Sequence, residues 1–299
     1  MSIKKVIVVG AGIGGITAAA HLARNGLQVT VVEKNSRPGG RCDRFARAGH
    51  KFDTGPTLLV MPLVYQDEFA RLGASIHDLL DLKQVDPTYH LVFDDGQRLA
   101  LTADSRKMRH QLERIEPGGY EGFRRYMDEG SLHYSQAMSR LVNRDFRTAT
   151  EFFTLENLSL LFRLKLLVNH YDNMGAYFDS PRLKAAFTFQ DVYMGLSPFE
   201  APAVFSMMPF TEMAHGVYYP MGGMYRLVEV LEELARGLGV EFVYGKAARQ
   251  ILVEGSLAQG VVLADGQVIY ADAVVANADL PYVYQELLPD RRDARRVAS

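Results

Sequence analysis

The sequence predicts an α/β fold with a parallel sheet, because a strand, a glycine-rich turn, a helix and a second strand follow one another in its first 33 residues. Residues 6–9 form a β-branched run, which is typical of a strand buried on both faces of a parallel sheet. Residues 16–25 predict a helix, and Gln28–Val32 predicts the second strand. Ala273–Ala276 predicts another doubly buried strand of a parallel sheet. The parallel sheet therefore has strands from both ends of the chain, and the residues between them, near 60–215, do not show its pattern.

The turn after the first strand carries a G-x-G-x-x-G motif, made of Gly10, Gly12 and Gly15, with Gly14 inside it. The first glycine permits a tight turn, the second lets a pyrophosphate approach the backbone, and the third lets the helix pack closely on the strand. The helix start offers free N–H groups and a positive dipole end to phosphates. The motif therefore predicts nucleotide binding, and a βαβ unit that only packs is the alternative.

Glu33 ends the second strand, 23 residues after Gly10. An acid at this position is typical of a group that binds the ribose 2′-hydroxyl of a dinucleotide. A carboxylate there repels a 2′-phosphate, which disfavours NADP. The glycine unit alone does not separate FAD from NAD, because both contain an adenosine diphosphate half.

A second glycine-containing loop follows, in which Gly39, Gly40 and Arg41 offer a flexible backbone and a planar cation. Such a loop suits a second contact with pyrophosphate. A further small-residue turn, F-D-T-G-P-T, occupies residues 52–57.

These motifs carry a resemblance to a known family. E-K-x-x-x-P-G-G-R at residues 33–41 and F-D-T-G-P-T resemble the bacterial and fungal phytoene desaturases, which are FAD-containing carotenoid desaturases of the amine-oxidase-like superfamily. The resemblance extends to Y-Y-P-M-G-G-M at residues 218–224 and V-A-N-A-D at residues 275–279, and so spans nearly the whole chain.

The resemblance implies a Rossmann-like FAD-binding domain with an inserted α+β substrate domain. It places the first part of the FAD-binding domain at residues 1–60, a substrate and membrane-associating domain at 61–215, and the second part at 216–299. Family members continue further, with a late glycine-containing segment, so the resemblance implies that a C-terminal portion is missing here, and the alternative is that the flavin half of the site is incomplete. The motifs carry over Gly55, Pro56 and Thr57 as cofactor-binding residues, and Ala248 as an adenine contact where the family often has valine.

The activity implied by the resemblance is desaturation of a carotenoid precursor, such as phytoene or diapophytoene, by hydride transfer to FAD. No catalytic residue is predicted, because delocalisation along the polyene stabilises developing charge without a strong base. The alternatives are a carotenoid isomerase or saturase, another amine-oxidase-like flavoenzyme, or a non-catalytic lipid escort of the same fold.

Composition excludes several other classes. A net charge of −2 gives no electrostatic support to a nucleic-acid partner. The eight histidines are scattered without metal-ligand spacing, and no G-x-S-x-G nucleophile turn is present, so metalloenzymes and hydrolases are disfavoured. The single cysteine, Cys42, forms no internal disulfide and is consistent with a reducing, cytoplasmic compartment.

The middle block contains two apolar stretches. Residues 151–168 predict one helix that lies at a membrane surface or at the opening of a lipid tunnel, and an ordinary core helix is the alternative. Residues 191–220 are rich in Met, Phe and Tyr, which suits a channel for a long polyene but is also typical of a core. The sequence contains no signal peptide and no apolar run of about 18 residues, so a peripheral membrane association is expected.

The remaining elements follow from periodicity and turn signals. Helices are predicted at residues 61–72, 106–115, 120–142 and 224–236. Asp-Gly turns predict two hairpins, one between residues 89–93 and 98–101 and one at Asp265 and Gly266.

Overall fold

A computed structural model describes residues 3–146 and 148–288 of the chain. It divides into two compact units, of which the first comprises Met1–Leu59, Tyr65–Lys83 and Tyr219–Ser299 and the second comprises residues 60–64 and 84–218. The domain boundaries expected at residues 60 and 215 stay a prediction. The charged segment at residues 289–296, which the sequence predicts to be solvated, lies outside the described residues.

Strands and helices are numbered in chain order. The strands are β1 (Lys5–Val9), β2 (Gln28–Val32), β3 (Arg44–Arg47), β4 (His50–Asp53), β5 (Leu82–Gln84), β6 (Tyr89–Val92), β7 (Arg98–Leu101), β8 (Tyr218–Pro220), β9 (Glu241–Val243), β10 (Ala248–Glu254), β11 (Leu257–Leu263), β12 (Val268–Tyr270) and β13 (Ala273–Ala276). The helices are α1 (Ile13–Arg24), α2 (Pro62–Arg71), α3 (Ile76–Leu79), α4 (Ser105–Ile115), α5 (Gly119–Ala137), α6 (Ala149–Phe152), α7 (Leu155–Arg163), α8 (His170–Asn173), α9 (Pro181–Ala186), α10 (Met207–His215), α11 (Tyr225–Gly237) and α12 (Leu280–Tyr282).

The first unit is built on a parallel sheet in the order β13-β1-β2-β9. In this register Val9 of β1 lies beside Ala276 on one side and Val32 on the other. The β-branched residues of β1 are buried, as the pattern predicts. The carboxyl ends of β13, β1 and β2 therefore meet at one edge of the sheet.

The outer strand of that sheet differs from its prediction. Ala273–Ala276 is half-buried rather than doubly buried, because β13 has one strand neighbour among the described residues. The stretch of the β3–β4 hairpin was predicted only as loop and a short strand, and strand β10 was not predicted. Six of the eight residues of β3 and β4 are exposed, and four of the eight carry charge, so the two strands lack an apolar alternation. The predicted turn at Asp265 and Gly266 joins β11 to β12.

The second unit is largely helical. Its predicted hairpin is present as the antiparallel pair of β6 and β7. The predicted long helix at residues 120–142 ends earlier as α5 and continues in a π-helical turn, Met138–Val142. The core of this unit is one cluster of buried apolar side chains, namely Leu99, Leu101, Met108, Leu112, Tyr126, Met174, Phe178, Leu183, Ala186 and Phe187.

The single helix predicted at residues 151–168 is wrong. The structure has two shorter helices there, α6 and α7, because the Thr154 hydroxyl accepts a hydrogen bond from the Asn157 N–H and caps the start of α7. The chain turns again after α7 at Lys165, which has a positive φ of 50°. The Lys165 ammonium group is held there by Glu129 and donates to Asn173 Oδ1 at 2.8 Å.

Candidate nucleotide-binding site

A cavity of about 860 Å³ lies in the first unit, at the edge where its parallel strands end. The residues that directly follow β1, β2 and β13, namely Gly10, Glu33 and Asn277, all line it. Ligands of open α/β sheets bind at this edge, outside the carboxyl ends of the strands. The full lining consists of Val9, Gly10, Gly12, Ile13, Val32, Glu33, Lys34, Asn35, Gly39, Gly40, Arg41, Cys42, Pro56, Ala247, Ala248, Asn277, Ala278, Asp279 and Tyr282.

The glycine turn has geometry that a side chain would disrupt. Gly10 has a φ of +99°, and its N–H donates to the Val32 carbonyl at 2.8 Å. A Cβ at Gly15 would lie 2.0 Å from the Gly10 carbonyl oxygen, so this glycine is required for helix-to-turn packing. Gly12 precedes α1 without a side-chain cap, and no acidic residue lies in the first turn of the helix. The helix start is therefore open to an anionic group.

The Glu33 side chain is 5% exposed and points towards the glycine turn. Its Oε2 accepts a hydrogen bond from the Ala11 N–H at 2.7 Å, and its Oε1 accepts one from the Asn35 N–H at 2.9 Å. Each carboxylate oxygen has about two acceptor positions, so one on each remains for a ligand hydroxyl. The carboxylate thus joins the turn to the end of β2 and keeps acceptor capacity.

The second glycine loop packs directly against the first. The Gly39 N–H donates to the Ala11 carbonyl at 2.8 Å, and a Cβ at Gly40 would lie 3.1 Å from the Gly12 Cα. The Tyr225 hydroxyl supports this loop by donating to the Pro38 carbonyl at 2.9 Å. The cavity therefore has a wall made of two adjoining glycine-rich loops, which expose backbone rather than side chains.

Charged side chains flank this wall. Arg41 forms an ion pair with Asp279, and both side chains are largely exposed and line the cavity. Such an exposed pair contributes about 0–1 kcal/mol, so a stronger anionic ligand displaces the carboxylate easily. The Arg41 guanidinium could therefore exchange the Asp279 carboxylate for a phosphate group.

Cys42 also lines the cavity, but its thiol is unreactive. Burial raises the pKa of the thiol to about 11, and the nearby Asp53 and Asp43 carboxylates add to the increase. The thiolate is the nucleophilic form of cysteine, so this side chain stays protonated and inert at neutral pH. Its position supports a packing role.

The structure brings seven of the predicted site residues to the cavity and leaves four outside its lining. The lining residues are Gly10, Gly12, Glu33, Gly40, Arg41, Pro56 and Ala248, and the other four are Gly14, Gly15, Gly55 and Thr57. A Cβ at Gly55 would lie 1.9 Å from the Arg41 carbonyl oxygen, so backbone packing alone requires a glycine there. The cofactor-binding roles of all eleven residues stay predictions.

Sequence reasoning missed several lining residues, among them Lys34, Asn35, Asn277 and Tyr282. Asn277 had a usable signal, because it follows a strand of the parallel sheet and so falls at the same edge as Gly10 and Glu33. The V-A-N-A-D segment was used for the family resemblance but not for the site.

The interior of the second unit contains a different kind of polar cluster. The Tyr126 hydroxyl lies 2.9 Å from His170 Nε2, and His170 Nδ1 lies 3.0 and 2.9 Å from the two carboxylate oxygens of Asp191. All three side chains are fully buried. Nearby, Glu212 accepts hydrogen bonds from the Tyr193 hydroxyl at 2.9 Å and the Gln190 amide at 3.2 Å.

Within residues 3–146 and 148–288, no three His, Cys, Asp or Glu side chains are grouped so that they could hold a metal ion. The described polar clusters are therefore hydrogen-bond networks.

Comparison with known proteins gives a consistent family. The model of the flavin-containing amine oxidoreductase family matches residues 13–298. The chain is 40% identical over 285 residues to a zeta-carotene-forming phytoene desaturase of Myxococcus xanthus, covering 95% of this chain and 55% of that protein. It is 40% identical over 293 residues to a phytoene desaturase of Phycomyces blakesleeanus, covering 97% of this chain and 50% of that protein.

A solved structure supports the same fold. An oxidoreductase from Methanosarcina mazei superposes with a TM-score of 0.67 at 18% identity, covering 98% of this chain and 63% of that one. The α/β, Rossmann-like fold of flavoproteins and the resemblance to phytoene desaturases are thus confirmed. The chain spans about half the length of the curated relatives it matches. It belongs to the flavin-containing amine oxidoreductase family.

Proposed function

We propose that the chain serves FAD-dependent desaturation of a carotenoid precursor such as phytoene or diapophytoene. The observation that carries this proposal is the 40% identity to a zeta-carotene-forming phytoene desaturase along 95% of the chain. The geometry supports it, because a cavity of about 860 Å³ is lined by two glycine-rich loops and by Glu33, an acid at the position typical of ribose binding.

The residues present fit the adenosine diphosphate half of FAD. The start of α1 and the Gly39–Gly40 backbone suit the diphosphate, since they bring N–H groups close and keep side chains away. The free acceptor positions of Glu33 suit the ribose hydroxyls. Arg41 adds a positive charge beside the two loops. FAD, when bound, supplies the redox chemistry by accepting a hydride from substrate carbon.

In this assignment the first unit binds and orients the cofactor. Glu33 selects against a 2′-phosphorylated nucleotide, because a second negative group beside a buried carboxylate is repelled. The backbone contacts between the Ala11 carbonyl and the Gly39 N–H hold the two loops in register before the ligand arrives. Such preorganisation reduces the conformational entropy lost on binding.

The proposal extends to peripheral attachment to a membrane from the cytoplasmic side. No helix within the described residues is both long and apolar enough to cross a bilayer. Around α6 and α7 the second unit exposes large apolar side chains, namely Phe153 (73% exposed), Leu155 (88%), Phe162 (73%) and Leu167 (76%). Exposed apolar side chains of this density are typical of a surface that enters the lipid interface, where a long polyene is dissolved.

Membrane attachment is tested by flotation with phosphatidylcholine–phosphatidylglycerol vesicles. The double substitution Leu155→Ser and Phe162→Ser should lower vesicle binding by at least about 100-fold, since each inserted side chain contributes about 1.5–3 kcal/mol. Leu257→Ser is the matched control, because Leu257 is 60% exposed but belongs to the first unit. Equal vesicle binding of the double variant and the control would refute this surface.

The reaction is tested by expressing the chain in a host that accumulates phytoene and recording the visible spectrum of the extracted pigments. A desaturase lengthens the conjugated system, so the absorption maximum moves to longer wavelength. A change in double-bond geometry without longer conjugation would indicate an isomerase instead. Unchanged pigments, together with FAD that is bound but never reduced by the precursor, would reject the redox proposal.

A further inference from the structure

Asn277 is fixed at the cavity by the sheet itself. It follows β13, and its N–H donates to the Val9 carbonyl at 2.8 Å, which continues the parallel pairing of β13 with β1. The residue thus sits beside the glycine turn at the level where β1 ends. Its backbone position depends on strand pairing and not on a flexible loop.

The Asn277 side chain lies across the glycine turn and the first turn of α1. A Cβ at Gly12 would lie 3.3 Å from its Nδ2, a Cβ at Gly14 would lie 2.9 Å from its Oδ1, and a Cβ at Gly15 would lie 2.9 Å from its Nδ2. Glycines at these three positions therefore make room for this amide. At Gly12 the amide is the only neighbour within 4 Å of the Cβ position among the described residues.

The chemistry of this amide suits a diphosphate. Within the described part of the chain its side chain forms no hydrogen bond, so the two N–H donors stay available. The amide is neutral, and it adds donors without adding to the negative charge of Glu33 and Asp279, which also line the cavity. Donors aimed at a charged oxygen form stronger hydrogen bonds than neutral pairs do.

We propose that Asn277 binds the diphosphate of the nucleotide and holds it against the start of α1, as a second contact beside the glycine turn. This inference rests on the proposed function, because it requires an adenosine diphosphate group in the cavity. It assigns the three glycines a joint purpose, since they make room for the amide that binds the ligand.

The test compares ADP with adenosine, which lacks the diphosphate, as ligands of the 299-residue chain in NMR titrations at low ionic strength. Asn277→Asp removes the donors and adds a negative charge, so ADP affinity should fall about 100-fold. Asn277→Ala removes only the donors, and the loss should be about tenfold. Adenosine affinity should change less than about twofold in both variants, because a nucleoside has no group for the amide to bind.

Gln267→Glu is the matched control, because it makes the same change of charge at an exposed hairpin position of the same unit, outside the cavity lining. It should leave the affinity of both ligands unchanged. Equal losses for ADP and adenosine in Asn277→Asp would overturn the inference and make Asn277 a support of the turn. An unchanged ADP affinity would also overturn it. If the unsubstituted chain binds neither ligand, the proposed function fails and the inference with it.

Discussion

The two units use their polar side chains in opposite ways. In the first unit, Glu33 is held by two backbone N–H groups at the cavity and keeps acceptor positions for a ligand. In the second unit, Tyr126, His170 and Asp191 are fully buried and bonded to one another. We propose that the first arrangement serves binding, whereas the second serves the stability of its own unit.

The largest effect is expected where the buried network is broken. Asp191→Ala leaves the buried His170 Nδ1 without its carboxylate partner, so the free energy of unfolding of the second unit should fall by about 3–5 kcal/mol. ADP affinity should stay unchanged, because Asp191 belongs to the other unit from the cavity. Urea unfolding and ADP titration measure the two quantities. Asp179→Ala, at an exposed position, is the control, and a loss of ADP affinity in folded Asp191→Ala would break the comparison.

A smaller loss of stability, with a large loss of binding, is expected at the glycine turn. Gly15→Ala forces a Cβ against the Gly10 carbonyl oxygen, which should cost about 1–3 kcal/mol of unfolding free energy. The displaced turn should also lose most of its bound FAD, which the flavin absorbance of the purified protein reports. Gly237→Ala is the matched control, because no described residue outside its own stretch of helix lies within 4 Å of its Cβ position. A fully loaded Gly15→Ala variant would contradict this account of the turn.

An effect of intermediate size is expected in the pH dependence of the unfolding free energy, through Glu212 of the second unit. Burial raises the pKa of Glu212 above the ordinary value of 4.5, although hydrogen bonds from Tyr193 and Gln190 oppose the shift. The folded state therefore binds this proton more tightly than the unfolded state does. Its stabilising contribution is complete below pH 4.5 and is lost as pH rises through the folded pKa.

Glu212→Gln removes this titration. Its unfolding free energy, measured in urea from pH 4 to 8, should lack the decrease that Glu212 causes in the unsubstituted chain. The difference between the two proteins should therefore change in favour of the variant as pH rises. A constant difference across this range would show that the Glu212 carboxyl does not titrate differently on folding.

The smallest effect concerns the support of the second glycine loop. Tyr225→Phe removes the hydrogen bond to the Pro38 carbonyl, which should lower the unfolding free energy by about 1 kcal/mol. ADP affinity should fall slightly, because the loop is less well fixed. The Tyr225 ring also packs under the Arg44 guanidinium, 4.4 Å from its centroid, and phenylalanine preserves that contact. If Tyr225→Phe is as stable as the unsubstituted chain, the Tyr225 hydroxyl does not support the second glycine loop.

The sequence predicted individual elements in both units, whereas it did not predict features that depend on contacts between separate segments, for a physical reason. β-branched runs, a glycine turn and Asp-Gly turns are local signals, and they located β1 and β2 in the first unit and one Asp-Gly hairpin in each unit, β11–β12 and β6–β7. The break at Thr154 depends on one hydroxyl cap, and the turn at Lys165 depends on distant Glu129 and Asn173, which periodicity does not detect. Long-range pairing likewise determines that Asn277 joins the cavity.

The same limit applies to the buried network of the second unit. Tyr126, His170 and Asp191 come from separate segments, and nothing in their local sequence indicates that they meet. Scattered histidines gave no metal-ligand spacing, and His170 has a structural hydrogen-bonding position instead. Glu33 was found in advance because its distance from Gly10 follows from the length of one βαβ unit.

The most direct test of the central claim is a double-mutant cycle at the ribose. ADP and its 2′,3′-dideoxy analogue are titrated against the unsubstituted chain and Glu33→Gln, and the coupling free energy between the carboxylate and the hydroxyls is obtained. If Glu33 binds the ribose in the cavity, the coupling should be about 1.5–3 kcal/mol. A coupling within about 0.5 kcal/mol of zero would contradict the nucleotide-binding account.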